Sequence, residues 1–310
     1  MPNNMPLTSA YGGQELTVST ILKDPMWLPD RLYQNMDLAF MEDALLRDAG
    51  SNSGVVAYRE TAAPFLNDKA REVAEFGEIP VSGIKEGEVK ALVGVKFAQG
   101  IRVSYEMRTE NNIDMVNRQV IALQNTMTKS AVDATLAAFK AAEIPTVAVS
   151  KAWTASDSEP FKDLATAKRK ISQAKTDDNQ LYGYRPDTLV IAESAIDLLL
   201  NSQQTQAFYN GNMADQNPVY TGVLPFALRG LRVVTSPWLT DEDVYVMQAG
   251  VAGFRSDTIP LKFSPLAVES GDPSDELGGN TMSWRMNAVR KRIIAITDPK
   301  AVVKLTGLQG

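Results

Sequence analysis

The longest regular pattern of apolar positions runs through residues 110–142. Apolar side chains recur there at steps of three and four residues, which predicts one apolar face of a helix. The stripe comprises Ile113, Val116, Val120, Leu123, Met127, Ala131, Ala134 and Ala138. At a rise of 1.5 Å per residue such a helix is about 50 Å long, so we expect a rigid rod that crosses the molecule.

Extended patterns precede this helix. The stretch VGVKFAQGIRVSYEM (93–107) alternates apolar and polar residues as far as Met107, which is typical of a half-buried strand. Residues 76–81 and 89–97 also have strand patterns, and turn-forming residues lie between them at 82–88. The simplest model for 55–96 is therefore a long two-stranded hairpin with an irregular stretch at its base or tip. An isolated ribbon is marginal in water, so either its own core or a neighbouring chain covers it.

The second half of the chain mixes helix and strand patterns. Residues 160–176 predict a helix, and Ser194 is expected to cap another that continues to about residue 206. Strands are predicted at 187–194, 231–239, 244–254 and 284–307. Two polar loops, 209–222 and 270–280, separate these elements. The mixture predicts an α+β fold.

Residues 1–52 have no sustained period. Four prolines interrupt them, seven acidic residues face three basic ones, and only a short helix near 36–46 is predicted. Two interpretations stay open at this point. The segment is either a frayed terminus or an arm that becomes ordered by lying on another surface.

The composition argues against most enzyme chemistry. The 310 residues include no cysteine and no histidine, which excludes thiolate zinc sites, cysteine nucleophiles and the usual catalytic triad. No phosphate-binding glycine loop is present, and the consecutive acids at 241–243 do not converge on one metal ion. We therefore expect no catalytic, cofactor-binding or metal site. An enzyme that uses carboxylates or lysine is the distant alternative.

Positive charge is concentrated near the C-terminus although the net charge of the chain is −6. Between residues 285 and 304, six basic residues face one acidic residue, Asp298. The basic residues are Arg285, Arg290, Lys291, Arg292, Lys300 and Lys304. Three interpretations are open: nucleic-acid contact, an ordinary solvated strand face, or complementary pairing between copies of the chain.

The order of these elements resembles the major capsid proteins of tailed bacteriophages, which share the fold named after the Hong Kong 97 phage. KFAQGIRVSYEM is similar to that family's entry into its peripheral domain, and NNIDMVNRQVIALQNTMTKSAVDATLAAF to its long spine helix. YRPDTLVIAESAIDLLL looks like an axial-domain strand and helix. RKRIIAITDPKAVVKLTG resembles the terminal peripheral-domain strand.

The resemblance implies a definite domain organisation. Its expected parts are an N-terminal arm at 1–52, an extended β-hairpin loop at 53–97, a peripheral domain at 98–150 and 284–310 that contains the spine helix 110–142, and an axial domain at 151–283. It also implies a structural function: copies of the chain assemble as pentamers and hexamers into an icosahedral head that encloses double-stranded DNA.

The same resemblance leads to a hypothesis about contacts between subunits. The arm and the hairpin loop are expected to lie across neighbouring copies, and the loop 209–222 to approach a local symmetry axis. The residues assigned to these contacts are Trp27, Phe65, Lys69, Phe76, Ile79, Val81, Lys85, Glu86, Glu88, Asn212, Asp215, Arg290 and Arg292.

Other expected partners are packaged DNA, bound without sequence specificity, and separate scaffolding, portal and decoration proteins; no membrane partner and no cofactor are expected. The protein would be located in the virion after assembly in the cytoplasm of a bacterial host. An encapsulin-like bacterial nanocompartment, which has the same fold, is the nearest alternative.

Overall fold

The computed structural model describes residues 16–36, 39–61, 64–176, 178–205 and 227–309. Its helices are α1 (Val18–Lys23), α2 (Trp27–Met36), α3 (Met41–Leu45), α4 (Tyr105–Thr109), α5 (Ile113–Ala141), α6 (Pro160–Ser172) and α7 (Glu193–Asn201). Its strands are β1 (Arg47–Ser51), β2 (Val55–Arg59), β3 (Val89–Val93), β4 (Val95–Ser104), β5 (Thr146–Ala148), β6 (Thr188–Ala192), β7 (Ala227–Leu228), β8 (Leu231–Ser236), β9 (Val244–Met247), β10 (Gly253–Phe263), β11 (Ala267–Val268), β12 (Ser283–Ile296) and β13 (Val302–Thr306).

The long helix α5 confirms the predicted rod. Asn112 caps it, because its side chain accepts a hydrogen bond from the backbone N–H of Met115. The predicted stripe is buried from Val116 to Ala131, but beyond that point Val132 and Phe139 replace the predicted alanines. The helix changes its buried side because it passes from one hydrophobic core to another.

The first hydrophobic core is built on a six-stranded sheet. Its order is β5-β13-β9-β6-β8-β7, with β6 parallel to β8 and antiparallel to β9. Strand β6 is buried along its whole length, as its uninterrupted apolar run predicts. Helices α6 and α7 and the end of α5 contribute further buried side chains to this core.

A five-stranded sheet forms the floor of the second core. Strand β12 is central: β4 pairs with one edge, and β10 and β11 pair with the other. Strand β1 extends the sheet beyond β10 in parallel orientation. Helix α5 packs against the inner face of this sheet, where Ile101, Val103 and Met286 are buried.

The described part of the arm, residues 16–36 and 39–52, packs against its own subunit. Leu28 and Leu32 of α2 are completely buried, and Val18 and Ile21 of α1 lie in the second core with α5. Leu28, Leu32 and Met36 recur at steps of four residues and form the buried face of α2. The nearby prolines made this pattern hard to recognise in the sequence. The single helix predicted at 36–46 is instead α3, which begins at Met41.

Several element boundaries differ from the predicted ones. The strand predicted to continue to Met107 ends at Ser104, because the Ser104 hydroxyl accepts a hydrogen bond from the Met107 N–H and starts α4. Ser194 does not cap α7; its hydroxyl donates to Asp241, and Ala192 occupies the cap position. Helix α6 ends at Ser172.

The expected domain boundaries do not follow the two sheets. Strand β13, assigned to the peripheral domain, pairs with β9 and β5 in the six-stranded sheet. Strand β10, assigned to the axial domain, pairs with β12 in the five-stranded sheet. The chain therefore crosses between the sheets more often than a division at residues 150 and 283 allows.

Candidate assembly surfaces

The segment between β2 and β3 has almost no contact with either core. Residues 64–88, called the loop segment below, are exposed except for the half-buried Ser82 and Gly87. The ribbon at its root is short, since β2 and β3 pair only from Val55 with Val93 to Arg59 with Val89. Beyond the ribbon, Leu66 forms an isolated bridge with Ile84.

The strand predicted at 76–81 is wrong. Phe76 has a left-handed backbone with φ of 66°, and the Gly77 N–H donates a 2.8 Å hydrogen bond to the Ala74 carbonyl. This turn interrupts any extended run across Phe76, because β-strands require negative φ. The predicted hairpin therefore exists where β2 pairs with β3, and the loop segment between these strands is irregular.

Apolar side chains of the loop segment face solvent. Phe76 is 99% exposed, Val81 96% and Ile79 78%. Phe65, Leu66, Val73 and Ile84 are also exposed. An aromatic and several branched side chains on one segment form the kind of exposed apolar surface that marks a protein interface.

The polar residues predicted to contact neighbours are partly engaged within the chain. Lys85 Nζ lies 2.5 Å from Asp178 Oδ2, and Glu86 forms an ion pair with Arg59 of β2. The backbone carbonyl of Glu88 accepts a hydrogen bond from Glu60 N–H. Lys69 is exposed. These exposed pairs orient the base of the loop segment and contribute little free energy individually.

Trp27 at the start of α2 is half-buried and packs against the second core of its own subunit. Its contact with a neighbouring subunit stays a prediction. Asn212 and Asp215, and the rest of the predicted loop 209–222, lie outside the described residues.

Arg290 and Arg292 are buried in an ion-pair cluster inside the subunit, which also opposes the intersubunit role predicted for them. Arg290 Nη2 donates to Glu42 Oε1 at 2.6 Å, and Arg292 Nη1 donates to Asp43 Oδ1 at 2.6 Å. Arg292 also binds both carboxylate oxygens of Asp257, at 2.6 and 2.7 Å. Arg290 and Arg292 of β12 are thus paired with acidic residues of α3 and β10 in the same chain.

This cluster joins the arm to the five-stranded sheet. Glu42 is fully buried, and its Oε2 atom has no hydrogen-bond partner among the described residues. Burial lowers the pKa of Arg290, and the facing Glu42 only partly opposes that effect. Burial also acts to lower the pKa of Arg292, but its bonds to Asp257 and the nearby Asp43 outweigh burial and raise it. Both guanidinium groups remain charged, so the cluster is a buried salt bridge network.

The sequence reasoning missed Glu42 and Asp43. Two adjacent acids inside the apolar stretch FMEDALL were the available signal, since buried acids require positively charged partners. Within the described residues, no group of three or more acidic side chains could hold a metal ion. No described helix is long and apolar enough to cross a membrane.

A family model described as "Phage capsid protein" matches residues 88–305, which is more than half of the chain. The chain belongs to the phage capsid protein family. The predicted resemblance is therefore confirmed, and so is the α+β capsid fold. As a member of this family, the chain is a structural protein of the virion shell and assembles with itself.

Solved structures support the fold independently. A phage-related protein from Bordetella bronchiseptica RB50 has a TM-score of 0.54 and 16% identity, and the match covers 91% of this chain and 96% of that one. A virus-like particle from Pyrococcus furiosus has a TM-score of 0.57 and 11% identity, with coverage of 90% and 97%. The chain from Mycobacterium phage Che8 has a TM-score of 0.53 and 16% identity, with coverage of 100% and 97%. No curated protein matches the capsid chain in sequence.

Proposed function

We propose that this major capsid protein forms pentamers and hexamers of an icosahedral head that encloses double-stranded DNA, and that the loop segment holds neighbouring subunits together. The exposure of Phe76, Ile79 and Val81 is the observation that carries the proposal. A single subunit gains nothing from exposing these side chains, whereas a neighbour that covers them removes apolar surface from water. Many such contacts in a closed shell add up to strong avidity.

The proposal assigns no catalytic role to the protein. The shell would assemble in a bacterial cytoplasm, with separate scaffolding, portal and decoration proteins as further partners. The loop 209–222, with Asn212 and Asp215, would approach a local five- or six-fold axis. DNA would contact the shell interior without sequence specificity.

Deletion of residues 65–90 tests the role of the loop segment. We expect particles to disappear while a soluble, helical protein remains, because both cores lie outside the deleted part. Negative-stain microscopy and light scattering measure assembly, and far-UV circular dichroism measures helix content. Intact particles from the deletion variant would refute the assignment.

A second variant separates side-chain contacts from loop length. Replacing Phe76, Ile79 and Val81 together by Ser keeps the backbone and removes the exposed apolar groups. We expect a large loss of particle yield and an unchanged circular dichroism spectrum. The matched control replaces Leu181, an exposed apolar residue outside the loop segment, by Ser and should assemble normally.

The nanocompartment is the second candidate, because the virus-like particle from Pyrococcus furiosus has a similar fold. The contents of particles isolated from the native source distinguish the two. Double-stranded DNA inside them supports the phage head, whereas an enclosed enzyme without DNA supports the nanocompartment.

A further inference from the structure

The buried ion pair between Glu42 and Arg290 satisfies only half of the polar atoms that these side chains present. Arg290 Nη2 donates to Glu42 Oε1 at 2.6 Å, but Arg290 Nε and Glu42 Oε2 have no hydrogen-bond partner among the described residues. Glu42 is 0% exposed and Arg290 4%, so bulk solvent does not supply the missing partners. A buried charged group with an unfilled hydrogen-bonding position costs more free energy than a neutral one. The pair therefore requires a further ligand.

A small cavity lies against both residues. Its volume is about 20 Å³, and Glu42, Arg290 and Ser130 are among the residues that line it. Arg292 is the other polar residue of the lining, which Phe97, Met127, Ala131, Ala134 and Ile294 complete. A water molecule needs about 10–15 Å³ of such space. The cavity is therefore large enough for one water molecule.

The existing contacts leave the two unpartnered atoms close together and accessible. Nε and Nη2 belong to one guanidinium group, and Oε1 and Oε2 to one carboxylate, so the 2.6 Å hydrogen bond keeps the other two atoms near each other. The centre of the Phe40 ring lies 4.1 Å from the guanidinium carbon of Arg290 and covers one face of that group. The guanidinium group is planar and its N–H bonds lie in its plane, so a ring above the face does not block Nε.

The chemistry of the two atoms selects the ligand. An ionised carboxylate only accepts hydrogen bonds, and a guanidinium group only donates them. A monatomic cation would satisfy Glu42 Oε2 and repel Arg290, and an anion would do the reverse. A water molecule satisfies both atoms because it donates and accepts. Ser130 offers a third contact, since its hydroxyl donates to the Thr126 carbonyl at 2.7 Å and its oxygen keeps its capacity to accept.

We propose that one buried water molecule is a structural ligand of this cavity. It donates to Glu42 Oε2 and Ser130 Oγ and accepts from the N–H at Arg290 Nε. Three hydrogen bonds is the usual number for a buried water. The water joins helix α3 of the arm, strand β12 of the five-stranded sheet and helix α5.

The water changes how the ion pair contributes to stability. A buried ion pair repays the removal of its charges from water only when additional hydrogen bonds fill the remaining positions of both groups. The water fills those positions, so the attachment of α3 to the sheet depends on it as well as on the attraction between charges. The inference concerns a single subunit and does not depend on assembly.

Two substitutions of nearly equal shape at position 134 test the water. Ala134 lines the cavity, so the larger side chain of either Ala134→Val or Ala134→Thr displaces a water held there. Val leaves Glu42 Oε2 and Arg290 Nε unpartnered, whereas the hydroxyl of Thr replaces the oxygen of the water. We expect the equilibrium constant for unfolding to be about tenfold larger for Ala134→Val than for Ala134→Thr. Urea unfolding of dissociated subunits measures it.

The matched control makes the same two changes at Ala137, which is exposed on α5. Val and Thr have similar helix propensities, so Ala137→Val and Ala137→Thr should differ by less than about twofold. A dry apolar cavity would reverse the order at position 134, because Val would fill it and burial of the Thr hydroxyl would cost free energy. Ala134→Val that is as stable as Ala134→Thr, or more stable, would overturn the proposal.

A crystal structure of the unmodified protein tests the site without any substitution. At a resolution that shows ordered water, we expect a peak within about 3.2 Å of Glu42 Oε2, Arg290 Nε and Ser130 Oγ. Well-ordered side chains around the cavity with no peak between them would refute the water.

Salt soaks of the same crystals distinguish a water from an ion. Bromide reports an anion site and rubidium a cation site through their anomalous scattering. We expect neither ion in the cavity, because each would oppose one of the two charged groups. An anomalous peak at this position would contradict the proposal and identify an ion as the ligand.

Discussion

The arm and the loop segment both have irregular patterns of apolar residues, but the apolar residues described in them lie in opposite environments. Both contain prolines and lack a sustained period, yet Leu28 and Leu32 of the arm are fully buried while Phe76 and Val81 of the loop segment are almost fully exposed. The described part of the arm is held by its own subunit through the second core and the ion pairs of Glu42 with Arg290 and Arg292. An irregular pattern therefore does not distinguish a segment covered by its own chain from one left for a neighbour.

Removing an acidic side chain should give the largest difference in stability between a variant of the arm and a variant of the loop segment. Glu42→Ala leaves Arg290 buried without its partner, which should reduce the free energy of unfolding by about 3–5 kcal/mol. Glu86→Ala removes an exposed pair with Arg59 in the loop segment and should cost at most about 1 kcal/mol. Urea unfolding of dissociated subunits measures both. Equal losses would mean that the arm is not anchored by this cluster.

Shortening an apolar side chain should give the next largest difference in stability between the arm and the loop segment. Leu32→Ala opens a cavity in the second core and should reduce the free energy of unfolding by about 2–5 kcal/mol. Phe76→Ala removes a side chain that touches little of its own subunit, so stability should change by less than about 0.5 kcal/mol. Assembly should respond in addition, with a lower particle yield for Phe76→Ala. A large stability loss in dissociated Phe76→Ala would show that the loop segment packs on its own subunit.

The smallest expected difference is in the pH dependence of stability, and it concerns the carboxyl group of Asp243. Asp243 directly precedes β9. Burial acts to raise the pKa of its carboxyl group, but hydrogen bonds from Thr240 and Lys304 outweigh burial and lower that pKa below the ordinary value of 3.8. Its ionised form therefore adds stability above pH 3.8, and that contribution is lost as the pH falls through the folded pKa. Asp243→Asn should be less stable than the unmodified protein at neutral pH and nearly equal to it in strong acid.

The control for this pH dependence lies at the root of the loop segment. Glu60→Gln removes an ion pair with the partly exposed Lys90 and should reduce the free energy of unfolding at neutral pH by at most about 1 kcal/mol. Parallel urea titrations from neutral to acidic pH measure both variants. A gap between Asp243→Asn and the unmodified protein that widens in acid would contradict the assigned sign.

Elements that depend on local pattern were predicted well. The rod α5 follows from its apolar stripe, and β6 follows from a short uninterrupted apolar run. The end of β4 was missed because Ser104 diverts the backbone into a helix although the alternation continues. The cap of α7 was missed because Asp241, distant in sequence, engages the Ser194 hydroxyl.

The assembly surface was predicted in part. Exposure of Phe76, Ile79 and Val81 agrees with a loop that needs a neighbour, although their intersubunit contacts stay a prediction. Arg290 and Arg292 were assigned to the surface because a run of positive charge on a strand does not show which acid it meets. Their acids lie on α3, and 248 residues separate Glu42 from Arg290.

The sequence by itself determined the rod, the buried strand, the absence of histidine and cysteine chemistry, and the order of elements that identifies a capsid fold. These features depend on residue type and on spacings of two to four residues, which the chain displays directly. Only the tertiary structure decided that the described part of the arm packs on its own subunit and that Arg290 and Arg292 of β12 pair with acids of the same chain. Those outcomes depend on which distant segments meet, and local periodicity carries no information about that choice.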